Sequence, residues 1–323
     1  MAIFAPAEGA ILDQILESTY DIWHEGLSRR AYARFYAAQT ATAWGRGHLE
    51  RQALVDGDNV LASGKLYTFD ATLDGHAVRV VGLGAIFTQP AHRGRGAARE
   101  LVERMLESAA ANGADLALLF SEIGPDYYAR LGFTPIATMN RTLRVIEDDR
   151  RGAPAMMVRG GDERDLDDLA AMGRVTAAPY RFHLNRDRDL IQFSIARKRL
   201  LAGLGPPGAR QLQFFVAEEG ASAAAYVVVS VKGRQWMLEE CGDRDPAGAR
   251  AGAILQVLIA REPAERRPAI TGWLPSGFLP PQVAVVGEQP ASDAMMVRPL
   301  SDAGKAATTL STRDVFYWRN DLF

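Results

Sequence analysis

Cysteine is nearly absent: Cys241 stands alone among 323 residues. A disulfide framework is thereby excluded, and the usage fits a reducing compartment. Metal-ligand spacing is missing too. The five histidines are scattered and no zinc-type Cys/His pattern occurs, so no metal is expected. Neither sign of charge dominates, since 37 Lys and Arg face 39 Asp and Glu for a net charge of −2. No broad basic field invites a nucleic acid. Long apolar runs are lacking, so no bilayer span is expected. The start, "MAIFAPAEGAILDQ", has neither the basic region nor the apolar run of a signal peptide. These absences lead to the expectation of a soluble, cytoplasmic protein with no nucleic-acid or membrane partner. What is present is an ordinary globular mix, 48% hydrophobic and 24% charged, at a length that suits two domains.

Residues 10 to 46 read as helical. Ile11, Ile15 and Tyr20 keep helical spacing, and Ser28 signals a second start. From about Arg51 the pattern turns to three β-rich runs, separated by Asp56-Gly57-Asp58 and Asp74-Gly75. A helix follows Pro90, with Ala98, Leu101, Val102, Met105, Leu106 and Ala109 on one face and Asn112-Gly113 at its end. "ADLALLFS" suits a buried strand. "DYYARLGF" reads as a short helix stopped at Gly132, and "TPIATMNRTLRV" returns to strand. Residues 148 to 164 are charged and glycine-rich, which puts a domain boundary there and divides the chain into 1–148 and 149–323. The second half repeats the order of elements loosely, as an internal duplication does.

The stretch "QPAHRGRGAARELVERML" sets Arg93, Gly94, Arg95 and Gly96 directly before the amphipathic helix. Helix N-termini carry unsatisfied N–H groups and partial positive charge, which suits phosphate. Gly94, Gly96, Ala97 and Ala98 keep side-chain bulk away, and Arg93, Arg95 and Arg99 ring the place with charge. By spacing alone, a pyrophosphate cradle and a basic turn at a glycine-rich helix start fit equally. A P-loop is excluded, because no Gly-Lys-Ser/Thr follows.

The loop resembles motif A of the GNAT acetyltransferases, Arg/Gln-x-x-Gly-x-Gly/Ala, with Arg93, Gly96 and Ala98 in the three defined places. One strand later, Tyr127-Tyr128-Ala129-Arg130-Leu131-Gly132-Phe133 resembles the family's Phe-Tyr-x-x-x-Gly-Phe segment. The likeness covers roughly residues 50 to 145. It implies an α/β (α+β) fold in which a mixed central sheet is flanked by helices. It also implies acetyl transfer from acetyl-CoA to an amine. By the same resemblance, the loop Arg93 to Arg99 holds the pyrophosphate, and Ile86, Phe87 and Thr88 pair with the pantetheine arm. Ser121 and Glu122 border the acetyl end, and Tyr128 takes the general acid's place.

"WHEGLSRRAYARFY", "LLFSEIGPDYYARLGF" and the ending "FYWRNDLF" are similar to fungal lysine ε-N-acetyltransferases, which pair an active GNAT domain with a GNAT-like one. Eis-type acetyltransferases share the tandem plan but add a further domain that this chain is too short to hold. In them the terminal carboxylate reaches the first site, so Phe323 joins Glu122 and Asp126 as a candidate base. The competing reading makes Phe323 the end of a last strand in the second domain. That domain has "EECGDRDPAGARAGAILQ" where the cradle belongs, so it is expected to be a degenerate copy. Glu239, Glu240, Asp243 and Asp245 are expected to put negative charge there. It would then shape the acceptor pocket or a homo-oligomer. The expected acceptor is a small amine such as an amino acid. A protein lysine, or a non-catalytic acyl-CoA sensor, stays open.

Overall fold

The computed structural model describes residues 2–146 and 152–323. Its elements begin with β1 (Ile3–Pro6), α1 (Gly9–Trp23), α2 (Arg29–Thr40), α3 (Gly45–His48), β2 (Leu49–Asp56), β3 (Asn59–Leu73) and β4 (His76–Thr88). Next come α4 (Ala97–Ala111), β5 (Leu116–Ser121), α5 (Asp126–Ala129), β6 (Thr134–Ile136), β7 (Met139–Val145), β8 (Met157–Gly160) and α6 (Leu166–Ala177). Then follow β9 (Phe182–Leu184), α7 (Arg188–Leu204), β10 (Gln211–Glu219), β11 (Ser222–Lys232), β12 (Gln235–Asp243) and α8 (Ala249–Ala260). The chain closes with β13 (Ile270–Gly272), β14 (Val283–Pro290), β15 (Ala294–Pro299) and β16 (Val315–Phe316).

Two compact units divide the chain. One comprises Met1–Ala137, Ser292–Ser311 and Phe323; the other comprises Thr138–Ala291 and Thr312–Leu322. The expected boundary between 148 and 149 lies outside the described residues. The units are not contiguous halves of the chain, and strand pairing gives the reason. β15, from late in the sequence, lies between β5 and β6 in the first sheet, whose order is β1-β2-β3-β4-β5-β15-β6. β7, from the first half, lies between β13 and β14 in the second sheet, ordered β14-β7-β13-β12-β11-β10-β8. "TPIATMNRTLRV", read as one strand, is therefore two strands serving different sheets. No local periodicity distinguishes that from one strand, because both pieces alternate equally well.

The plan is the same twice. A meander of three antiparallel strands leads to a helix, and the next strand lies parallel to the last of the three. β4 and β5 form this parallel pair in the first unit, and β12 and β13 form it in the second. The connecting helices are α4 and α8. α4 buries Leu101, Val102, Met105 and Leu106 against the first sheet, with Ala97 rather than Ala98 as its first buried residue. Each large apolar side chain so buried contributes about 1.5–3 kcal/mol. α8 does the same in the second unit with Ile254, Leu255, Leu258 and Ile259. Ser28 caps α2 as expected, its Oγ accepting from the Ala31 N–H at 3.3 Å. Among the described residues, no helix is long and apolar enough to cross a membrane.

Candidate active site

The first unit's parallel pair runs from Val80↔Leu116 to Leu83↔Leu119 and stops there. Yet β4 continues to Thr88 and β5 to Ser121. The two strands part, and the β5-facing backbone of β4 beyond Leu83 loses its ladder partner. A bulge sits at the same place. Lys65 pairs with Gly84 and Ser63 with Phe87, so Ala85 and Ile86 together stand against Gly64. Ala85 has φ 48°, uncommon for a residue with a side chain. Gly64 leaves room for the Ile86 side chain, since a Cβ there would lie 2.6 Å from Ile86 Cδ1. Bulges re-aim a strand edge. Here that edge is Ile86, Phe87 and Thr88, with Phe87 buried edge-on against Trp23 at 6.3 Å between ring centres.

Beyond Thr88 the chain makes one short turn at Pro90–His92 and enters the glycine-arginine loop. Arg93 Nε donates to the Thr88 carbonyl at 3.4 Å. Gly96, with φ 86°, occupies the N-cap position of α4, and no side chain caps the helix. A Cβ on Gly94 or Gly96 would meet nothing within 4 Å, so the ground above the helix end is open. Arg93, Arg95 and Arg99 are exposed. None of them has an ion-pair partner among the described residues.

Past the end of β5, Ser121 is buried and its Oγ donates to the Gly124 carbonyl at 2.5 Å. This bond closes the turn that carries Glu122. The Glu122 carboxyl is pushed above its ordinary range by partial burial and by the like charges of Asp293 and Glu25. Tyr128 lies on the single turn α5 and is 8% exposed. Its ring meets Tyr127 and Phe133 edge-on, at 5.0 and 5.9 Å. Burial, with Tyr127 beside it, pushes its hydroxyl up to about 12. The phenol is therefore a proton donor at neutral pH. No described residue hydrogen-bonds that hydroxyl.

Phe323 is not part of a strand, because β16 ends at Phe316. Its ring packs on Tyr67 at 4.8 Å, on Phe69 at 5.4 Å and edge-on to Phe120 at 5.5 Å. A Cβ on Gly82 would strike that ring at 2.6 Å, so the glycine makes the seat. The Phe323 carboxyl carbon lies 3.4 Å from the place a Gly84 Cβ would take. It is thus beside β4 where the strands part. Sequence reading missed Gly84, Ala85 and the buried cation Arg51. The last was signalled only by a charged residue at an inward position of a strand.

The second unit's counterpart is closed by its own chain. Gly248, with φ 72°, holds the N-cap position of α8 as Gly96 does for α4. There, however, one Asp243 carboxylate oxygen accepts from the N–H groups of Arg250 at 2.7 Å and Ala251 at 3.1 Å. The other accepts from Asp245 N–H at 2.9 Å. Negative charge does stand at this helix end, but Asp243 alone supplies the bonds. Glu239 and Glu240 are buried instead, paired with Lys198 and Arg186. Asp243→Ala is expected to cost about 1–2 kcal/mol, the range of a lost N-cap, in a denaturant titration.

Comparison with known proteins bears on the fold. A GCN5-related N-acetyltransferase from Anabaena variabilis ATCC 29413 superposes with a TM-score of 0.69 at 11% identity, over 93% of this chain and 73% of its own. One from Kribbella flavida gives 0.66 at 17% identity, over 93% and 71%. Eis1 from Mycobacterium abscessus gives 0.56 at 18% identity, over 93% and 74%. No curated protein matches the chain. The fold is the GNAT fold. Residues 14–136 match the family model described as "Acetyltransferase (GNAT) domain". That stretch is similar to a GNAT acetyltransferase domain.

Proposed function

We propose that the protein is an acetyl-CoA-dependent N-acetyltransferase whose acceptor is the primary amine of a small molecule, an amino acid among the candidates. One observation carries this reading: the parted β4 and β5 open directly beside an uncapped, arginine-rimmed helix end. Free space over Gly94 and Gly96 fits a pyrophosphate there. Acetyl-CoA, when bound, supplies an activated thioester. The N–H groups of Gly94 to Arg99 and the three arginines hold its phosphates. The free backbone of Ile86, Phe87 and Thr88 pairs with the pantetheine amides, and a β4 N–H stabilises the oxyanion. Ser121 fixes the turn that borders the acetyl end. Tyr128 keeps its proton at neutral pH and gives it to the leaving sulfur. An alkylammonium with a pKa of about 10.4 must lose a proton first. Glu122, raised above its ordinary range, and the Phe323 carboxylate are the bases this reading offers. A screen of amines for thiol release from acetyl-CoA tests it, and release with none of them overturns it.

Binding stoichiometry is expected to be one acetyl-CoA per chain, since Asp243 fills the second helix end. Calorimetry that finds two equivalent sites contradicts this. The base is decided by two variants. With Glu122 as the base, kcat/KM falls as the solution is acidified through its raised pKa, and Glu122→Gln removes that limb. With the Phe323 carboxylate as the base, a few residues added after Phe323 slow turnover and leave acetyl-CoA affinity unchanged. A variant with a wild-type rate and pH profile clears the group it alters.

A further inference from the structure

A Cβ on Gly64 would point at Met105 of α4. By strand alternation its neighbours Ser63 and Lys65 face the other side of the sheet. Arg51 stands directly opposite Lys65 in the β2–β3 ladder and shares that side. Arg51 Cζ and Lys65 Nζ each lie 5.9 Å from the centre of the Tyr36 ring. Arg51 is 3% exposed, and none of its three guanidinium nitrogens has a hydrogen-bond partner among the described residues. No carboxylate among the described residues pairs with it. Ser63 Oγ, fully buried two ladder positions away on the same face, is without a partner among the described residues as well. The hydroxyl of Tyr32, 3.1 Å from Thr19 Oγ1, also faces Arg51 and favours its charge, but it is neutral and does not stand in for an anion. A buried cation without an anion is strongly unfavourable, and burial holds this guanidinium below its ordinary range. The usual remedy, a packed carboxylate from the chain itself, is missing.

We propose that Arg51 binds a carboxylate of the acceptor, so that the amine acetylated by this protein is carried on an acid. This rests on the transferase reading above. The planar guanidinium matches a carboxylate fork, and Lys65 adds charge at its side. Arg51, Lys65 and Gly84 follow one another across the sheet. That sets Arg51 two strand spacings, about 10 Å, from the strand position where β4 and β5 part. An acid whose reacting amine lies several bonds from its carboxylate, as in a basic amino acid, spans such a distance. Tyr36 is the cover. No described residue hydrogen-bonds its hydroxyl, and in this proposal the ring turns aside to admit the carboxylate.

The test uses the full chain and two matched pairs, L-lysine with cadaverine and L-ornithine with putrescine. Within each pair only the carboxylate differs. The amino acids are expected to raise the melting midpoint, and the diamines are not. Arg51→Met removes that difference and raises KM for the amino acids by about thirtyfold, the scale of a lost desolvated charge contact. Acetyl-CoA binding by calorimetry stays at the wild-type value. Arg51→Met alone melts no lower than wild type, because an unpaired buried charge is gone, and Arg51→Lys retains part of the preference. Equal responses to both members of a pair in the wild type, including none to either, overturn the proposal. A preference that survives Arg51→Met does the same. Thiol release absent with every amine, with the carboxylate-dependent melting shift intact, instead removes the transferase reading and leaves Arg51 as the carboxylate site.

Discussion

Tyr128→Phe is expected to lower kcat by about a hundredfold to ten-thousandfold, the usual contribution of a general acid. Only one oxygen is lost. The ring keeps its edge-on contacts with Tyr127 and Phe133, so the fold and the melting midpoint stay close to wild type. The hydroxyl has no hydrogen-bond partner among the described residues, so its removal strands no other group. Acetyl-CoA affinity is expected to be unchanged, and the loss falls on kcat. The rate of the wild type is expected to persist into mildly alkaline solution, because the hydroxyl is pushed up to about 12 and stays protonated. A Tyr128→Phe variant that turns over like wild type would make the residue a packing group only.

Gly96→Glu is expected to abolish acetyl-CoA binding in a chain that still folds. The residue sits at φ 86°, where a side chain costs about 1–2 kcal/mol. That strain is tolerable, since a Cβ there meets no other atom within 4 Å. The carboxylate would sit over the N–H groups of α4 and compete with phosphate for them. Asp243 already does this at α8, within the same chain. Gly96→Asn is the control, because asparagine tolerates this backbone and carries no charge. Calorimetry should find weak but measurable binding for Gly96→Asn and none for Gly96→Glu. Equal affinity in both variants and wild type would move the pyrophosphate elsewhere.

Local sequence determined a good part of this protein. The αL glycine before α4, the arginines around it and the apolar stripe of the helix are all short-range features, set by backbone sterics and helical period. The same holds for the Asp74-Gly75 turn between β3 and β4 and for the serine cap on α2. Two motifs in order carried the resemblance to the family, and the comparisons agree with it. Tertiary structure decided the rest. That β15 and β7 each join a sheet far from their sequence neighbours depends on which edge is free after folding, and hydrophobic alternation does not record it. The parting of β4 from β5 depends on register and on a bulge opposite Gly64, which lies on a third strand. Asp243 reads as one acid among four, and only the path of the chain turns it onto two helix N–H groups. Arg51 reads as one more charge in a strand, and its isolation is visible only when every neighbour is in place. Phe323 reads as an aromatic chain end, whereas its seat is made by two glycines of β4 some 240 positions earlier. Contacts of that separation are fixed by the packing of the whole unit, which no stretch of local sequence encodes.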